Sequence, residues 1–420
     1  FPKILEDATA AKRRFAFEDL FLLQLNNIKT RLELAREKAP KFALDKNELS
    51  GILSKLPFVL TASQQQSLNE ILGDLSGTRP MHRLLQGDVG SGKTVIAAIA
   101  AIAAAKNGYQ AAFMAPSEVL ALQHFKTLRN LFLGMVLKNP KEKMPVIAIA
   151  TSGGFKLFFT DDNLEVEVKK TEMHKKIASG EAEIIIGTHA LIQKNVNFKN
   201  LGLIIIDEQH RFGVRQRAKL AGRGQDVYYP HLLSMSATPI PRTLMLTIFG
   251  DLDLSIIDEM PAGRKEITTK VVSSENRVKA YDFIRKEVVR GRQVFVICPR
   301  IDAPQVDGNG TRTDSKKFTS DVWKKFMTLD VKSVKEEYEK LSKKVFTEFK
   351  VEMLHGQLKS KEKESVMNAF RDGKIQILVS TSVIEGGGDG PNATIMMIEG
   401  SERFGLAQLY QFRGRVGRGE

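Results

Sequence analysis

Eight residues, Gly87 to Thr94 (GDVGSGKT), set glycines, a lysine and a hydroxyl in an order that suits the grip of a polyphosphate. In a G-x-x-x-x-G-K-T turn, successive backbone N–H groups point into one concavity and wrap phosphate oxygens. Gly87, Gly90 and Gly92 allow backbone angles and close approaches that a Cβ would block, with Asp88, Val89 and Ser91 completing the loop. Lys93 then reaches the β- and γ-phosphates, Thr94 offers its hydroxyl to Mg²⁺, and the following helix adds partial positive charge at its N-terminus. A plain glycine turn is the simpler reading. The apolar Leu84-Leu85 lead and the alanine-rich run to Ala105 give the strand–loop–helix context that favours a bound triphosphate.

A second chemical cluster closes an apolar run. Leu201 to Ile206 (LGLIII) reads as a buried strand that delivers Asp207, Glu208, Gln209 and His210 at its end. Hydrolysis of a γ-phosphate needs a metal-linked acid beside a base for the attacking water, and adjacent acids at a strand end meet that need. Leu232 to Met235 is a further strand, closed by Ser236-Ala237-Thr238-Pro239, whose small hydroxyls suit a bridge from the nucleotide to neighbouring structure. Near the C-terminus, Arg415 and Arg418 fall three apart with Gly414 and Gly417 interleaved, on one side of a helical turn. Such arginines fit a bidentate grip on a γ-phosphate. Thr61 caps a helix whose first turn carries Gln64, an amide able to read an adenine edge.

These groups need a parallel sheet to hold them. Ala111 to Ser117, Val146 to Ala150 and Glu183 to Ile186 are short apolar runs that end in loops, alternating with helical segments. That alternation predicts an α/β fold with a parallel sheet and ligands at the strand C-termini. Phe155 to Lys169 alternates around Asp161-Asp162-Asn163 and predicts an inserted hairpin. Phe15 to Lys38 predicts an amphipathic helix, with Phe17, Leu20, Phe21, Leu25, Ile28 and Leu32 on one face and Pro40 ending it. A shorter helix is expected from Lys46 to Leu56. A Pro/Gly connector near Asp258–Arg264 divides two lobes, and the second repeats the pattern: strand Val294–Cys298, helix Lys332–Phe346, strand Val351–Leu354, helix Lys361–Phe370 and strand Ile375–Ser380. Asp302 to Ser320 is polar and reads as an excursion. The 420 residues thus divide into a helical linker (1–56) and two tandem lobes (57–262 and 263–420). With 63 Lys and Arg against 49 Asp and Glu, the net charge of +14 suits a polyanionic partner. Cys298 is the single cysteine, so an internal disulfide and a cysteine-based zinc site are excluded, in keeping with a reducing cytoplasm. No run reaches the length of a membrane span. A start at Phe1 and a stop at Glu420 inside a Gly/Arg-rich motif read as those of a fragment.

GDVGSGKT, DEQHRFGV (Asp207 to Val214), SATPIPRT (Ser236 to Thr243) and ERFGLAQLYQFRGRVGRG (Glu402 to Gly419) together resemble superfamily 2 helicases. They are most similar to the bacterial RecG family of ATP-dependent branch-migration DNA helicases, and the likeness extends from the first 25 residues almost to the end. The resemblance implies two RecA-like lobes with one ATP–Mg²⁺ site in the cleft between them. It implies roles for Phe58 and Gln64 at the adenine, Lys93 and Thr94 at the phosphates and metal, and Asp207 and Glu208 as metal-linked acid and base. Gln209, His210 and Ser236-Ala237-Thr238 would couple the γ-phosphate to DNA movement, while Gln411, Arg415 and Arg418 complete the site. Pro116 and Ser117, Thr151 and Ser152, Thr188 and His189, His355 and Gly356, and Ser380 and Thr381 would touch a nucleic-acid backbone without reading sequence. The protein would act as a monomer on forks and Holliday junctions; a coupling-factor-like duplex translocase and a non-hydrolysing DNA scaffold are the alternatives. Two departures stand out. Gly386, Gly388 and Gly390 replace apolar residues of the family pattern beside the nucleotide-linked Asp389, an expected loosening of ATP–DNA coupling. The family's fork-splitting wedge and its C-terminal translocation element do not appear.

Overall fold

The computed structural model describes residues 5–138, 143–188, 191, 196–208, 228–237, 250, 252–259, 267–299, 334–355, 358, 360–381 and 392–417. Backbone contacts divide the chain into two units, Phe1–Pro261 and Ala262–Glu420. No helix among the described residues is long and apolar enough to cross a membrane.

The first unit is built on nine strands: β1 (His82–Gly87), β2 (Gln110–Met114), β3 (Ile147–Thr151), β4 (Gly154–Phe159), β5 (Leu164–Glu167), β6 (Ile184–Gly187), β7 (Leu201–Asp207), β8 (His231–Ser236) and β9 (Asp253–Ile257). Their spatial order is β5-β4-β3-β6-β2-β7-β8-β1-β9. From β3 to β9 every pairing is parallel, and β4 and β5 form the antiparallel hairpin expected around Asn163, whose φ of 50° closes the turn. β2, β3, β6, β7 and β8 are buried along their whole length, as strands covered on both faces must be. Beneath the glycine loop lies α4 (Lys93–Lys106), with Ile96 to Ala105 all buried. Its alanines let the helix sit close to the sheet, where larger side chains would hold it off.

The first 56 residues fold as α1 (Leu5–Leu34) and α2 (Lys46–Ser54), with α3 (Ala62–Leu75) following, and α5 (Glu118–Lys138) and α6 (Lys170–Ser179) come later in the unit. α1 starts earlier than periodicity predicts and stops six residues before Pro40. Tertiary bonds explain the early stop: the Ala39 and Phe42 amides donate to Thr78 and Leu75 carbonyls, and Lys38 accepts from Tyr229. Phe17, Leu20, Phe21, Leu25, Ile28 and Leu32 on α1 are exposed.

His231 pins this linker to the sheet. Its Nε2–H donates to the Pro40 carbonyl at 2.6 Å, its Nδ1 accepts the Met81 amide at 3.0 Å, and its ring packs on Phe42. Nδ1 can accept only while the ring is neutral, and burial lowers its pKa against the opposing pull of the Pro40 hydrogen bond and of Asp74. The unfolded chain therefore takes up this proton at a higher pH than the folded one. The stabilisation is complete above about pH 6.5 and is lost as pH falls below it. His231→Phe should cost roughly 2–4 kcal/mol at pH 7.5, from two orphaned backbone groups. The variant should also show a flatter fall in melting temperature from pH 7.5 to 5.5 than the parent, a comparison that thermal scans at the two pH values make directly.

The second unit carries a four-stranded parallel sheet in the order β11-β12-β10-β13, made of β10 (Gln293–Ile297), β11 (Val351–Leu354), β12 (Ile377–Ser380) and β13 (Ala393–Ile398). Around it run α7 (Arg277–Val289), a helix at 334–340 that ends in a π-helical turn at Leu341–Val345, α8 (Ser360–Arg371) and α9 (Leu406–Arg413). Both sheets use one device at a strand start. Gln110 donates through Nε2 to the Ile177 and Ala182 carbonyls, and Gln293 donates to those of Phe370 and Ile375. Each glutamine follows a glycine of positive φ, Gly108 or Gly291, by two residues. Asp302 to Ser320 lies outside the described residues.

Candidate active site

Strand register lines up the candidate residues of the first unit along one edge. Leu85, Met235 and Asp207 are register partners across β1, β8 and β7, and Met114, Gly187 and Ala150 are partners across β2, β6 and β3. The C-terminal ends of six adjacent strands therefore form one row. Its β7-β8-β1 half carries Asp207 and Glu208, Ser236 and Ala237, and the glycine loop. Its β3-β6-β2 half carries Thr151 and Ser152, Thr188, and Pro116 and Ser117. With neighbouring strands about 4.8 Å apart, the acids lie two strands, roughly 10 Å, from the loop's root.

The glycine loop has the form of an anion cradle. Gly90 and Gly92 have φ of 86° and 93°, and Gly92 leads into α4 with no side-chain cap on the helix's first amides. At Gly87 an added Cβ would come within 2.6 Å of Ser91 Oγ. That Oγ is buried and has no hydrogen-bond partner among the described residues. Uncapped amides, a left-handed turn and an orphaned buried hydroxyl all fit a phosphate chain. Lys93 is buried, and its Nζ donates to the Gly87 and Asp88 carbonyls at 2.6 and 2.8 Å, bracing the loop from within. Thr94, half-buried on the first turn, and the buried Asp207 offer oxygen donors, the kind that a hard cation such as Mg²⁺ takes.

Gln64 belongs to this loop as much as to α3. Its Oε1 accepts the Thr61 amide at 2.9 Å in a capping box, and its Nε2 donates to the Ser91 carbonyl at 2.7 Å. A Cβ on Gly92 would be driven into the same amide nitrogen. Phe58 stands half-exposed just before this helix.

At the end of β7 the two acids differ. Asp207 is buried and accepts from His124 Nε2 at 2.8 Å. Glu208 adopts φ of 54°, one of two non-glycine residues of positive φ among those described, at the point where the chain leaves the strand. Such a conformation costs roughly 1–2 kcal/mol and concentrates at functional sites.

The other half of the row shows donors already engaged. Ser117 Oγ accepts the Leu120 amide at the start of α5 (Glu118–Lys138), and Glu118 accepts from Ser152 Oγ at 3.0 Å and from the Gly153 amide. His124 and Glu118 are contacts that the sequence reading did not single out. The signal for His124 was a lone polar residue within the helical stripe Leu120, Ala121, Phe125, Leu128 and Phe132, all of which are buried.

In the second unit, His355 and Thr381 lie one residue beyond the register partners Leu354 and Ser380. His355 is buried, its pKa lowered by burial and by Lys335 and Lys363, and its Nδ1 has no partner among the described residues. Ser380 Oγ donates to the Thr381 carbonyl at 2.9 Å. Gln411 and Arg415 are buried. Arg415 sits just past α9, which ends at Arg413, with its amide bonded to the Phe412 carbonyl, so the helical turn expected to hold it is a turn after the helix. Gly417, with φ of 72°, then bends the chain back to Ala393. His189, Gln209, His210, Thr238, Gly356, Gly386, Gly388, Asp389, Gly390 and Arg418 lie outside the described residues.

Comparison with known proteins identifies the family. Residues 61–247 match the DEAD/DEAH box helicase family, and residues 279–420 match the helicase conserved C-terminal domain. The ATP-dependent DNA helicase RecG of Synechocystis sp. is 46% identical over 420 residues, covering all of this chain and 45% of that protein. Its counterpart in Aquifex aeolicus is 45% identical, over 97% of this chain and 46% of that one. A solved structure described as RecG bound to a three-way DNA junction superposes with a TM-score of 0.73 at 39% identity, covering 100% of this chain and 49% of that one. The chain spans about half the length of these relatives. Both units are RecA-like α/β folds, and the chain belongs to the RecG family of helicases.

Proposed function

We propose that the chain is the ATP-driven motor of a helicase that remodels branched DNA, with residues 1–56 as a linker, 57–262 as the ATP-binding lobe and 263–420 as the second lobe. One observation carries this reading. A single row of strand ends sets an uncapped, glycine-lined phosphate cradle beside two acids, and continues directly into loops bearing hydroxyls and amides. Phosphoryl transfer needs positioning and charge stabilisation more than covalent help, and a backbone-tracking motor needs donors without base reading.

In this reading the loop amides and Lys93 bind the β- and γ-phosphates, and Phe58 and Gln64 hold the base. Thr94 and Asp207 would hold Mg²⁺, which would neutralise phosphate charge. Glu208 takes the proton of the attacking water. Gln411, Arg415 and Arg418 act on the γ-phosphate, and Asp389 on the nucleotide. Gln209, His210, Ser236, Ala237 and Thr238 pass its presence onward. Pro116, Ser117, Thr151, Ser152, Thr188, His189, His355, Gly356, Ser380 and Thr381 touch DNA phosphates. Ser152 reaches a phosphate only by leaving Glu118. Steady-state phosphate release with forked DNA, linear duplex and RNA tests the reading: DNA should stimulate it more than RNA does, and equal rates with and without every nucleic acid would defeat it.

A further inference from the structure

We infer that α5 is a lever between DNA and the hydrolytic acid, with His124 as the residue that positions Asp207. The inference rests on the functional reading above and deepens it. The row of strand ends changes character between β2 and β7, adjacent strands whose register pairs Met114 with Ile206. On one side lie the candidate DNA loops, on the other the candidate nucleotide residues. α5 leaves the end of β2, so it starts at this seam.

Its first residue, Glu118, faces the DNA side. The carboxylate takes the Ser152 hydroxyl and the Gly153 amide from the loop after β3. Those donors are of the kind that a DNA phosphate would take, and two anions cannot share them without repulsion. A phosphate arriving there displaces Glu118 and shifts the start of the helix.

Six residues further, about 9 Å along the axis, His124 faces the nucleotide side. It lies in the apolar stripe of α5, is buried, packs on the Phe113 ring with centroids 4.6 Å apart, and spends Nε2 on Asp207 Oδ2 at 2.8 Å. An ionised carboxylate only accepts, so Nε2 carries the hydrogen. Held by Phe113 and by its helix, the imidazole fixes where the carboxylate sits. A helix is stiff over two turns, so displacement at Glu118 reaches Asp207 as a change in His124's position. Shifts of 1 Å near reacting groups are enough to change rates about 10²-fold.

The test is a double-mutant cycle on coupling, read by binding alone. In the 420-residue chain, the affinity for forked DNA is measured with and without a non-hydrolysable ATP analogue and Mg²⁺, and the ratio of the two dissociation constants is the coupling factor. His124→Phe and Glu118→Ala should each bring this factor close to 1. The double variant should match His124→Phe alone, because both act through one lever. His124→Gln, which keeps an N–H donor, should recover most of the factor, with thermal melts verifying that each variant is folded. DNA-stimulated phosphate release should fall about tenfold in His124→Phe and recover in His124→Gln. A wild-type factor retained by His124→Phe, or reductions that multiply in the double variant, would overturn the lever alone. A wild-type factor of 1 would overturn the lever, and if no nucleic acid stimulates phosphate release either, the functional reading falls with it.

Discussion

Lys93→Ala is expected to cut DNA-stimulated phosphate release by about 10²–10³-fold, the loss seen when one charged donor is removed from a preorganised transition-state site. Lys93 does two jobs. When nucleotide is bound its ammonium group would face phosphate oxygens; in this structure it donates to the Gly87 and Asp88 carbonyls and braces the loop. Alanine removes both the charge and the brace, so nucleotide affinity should fall together with turnover. Lys93→Arg separates the two jobs. It keeps the charge, but a planar guanidinium cannot turn its donors onto two carbonyls inside a tight loop as an ammonium does. It should therefore retain weak nucleotide binding with little hydrolysis. Titration with a fluorescent ADP analogue beside steady-state phosphate release distinguishes these results, and near-normal turnover in Lys93→Ala would sink the assignment of the loop.

Much of this site was legible because its residues are improbable in combination. A glycine-rich turn ending in Lys-Thr, and two acids closing the run LGLIII, carry their chemistry in residue type and spacing. The strand ends were equally plain, since fully buried strands read as unbroken apolar runs. The edge strands β9 and β13 did not stand out: DLSII mixes buried and exposed residues, and ATIMMI is buried only at its first residue. His124 and Glu118 were missed for a different reason. A histidine and a glutamate on a helix are ordinary, and only the pairing of strands β2 and β7 brings His124 to Asp207. Gln64 shows the opposite limit. Its amide reads in the sequence as a donor and acceptor for an adenine edge, yet its partners in this structure are Thr61 and Ser91, which chain folding brings to it. α1 is the clearest instance of pattern outrunning packing: the apolar spacing made a helix, but Phe17, Phe21 and Leu32 remain exposed among the described residues.

Glu208→Gln is expected to lower hydrolysis by about 10²–10⁴-fold, the range for loss of a general base, while leaving ATP binding close to normal. Glutamine matches glutamate in shape but cannot take a proton from water. The ATP state, and the DNA affinity that accompanies it, should therefore persist long after the wild-type protein has turned over. The backbone at this position offers an internal control. Glu208 holds φ of 54°, where a side chain is disfavoured by roughly 1–2 kcal/mol and glycine is not. Glu208→Gly removes the same carboxylate but relieves the strain, so it should melt higher than Glu208→Gln while hydrolysing no faster. If activity tracked backbone relief, the glycine variant would differ from the glutamine variant in rate; if the carboxylate is the base, the two share one low rate and differ only in stability. Single-turnover hydrolysis and thermal melts on the pair decide this, and a glutamine variant that hydrolyses ATP at the wild-type rate would remove Glu208 from the chemistry.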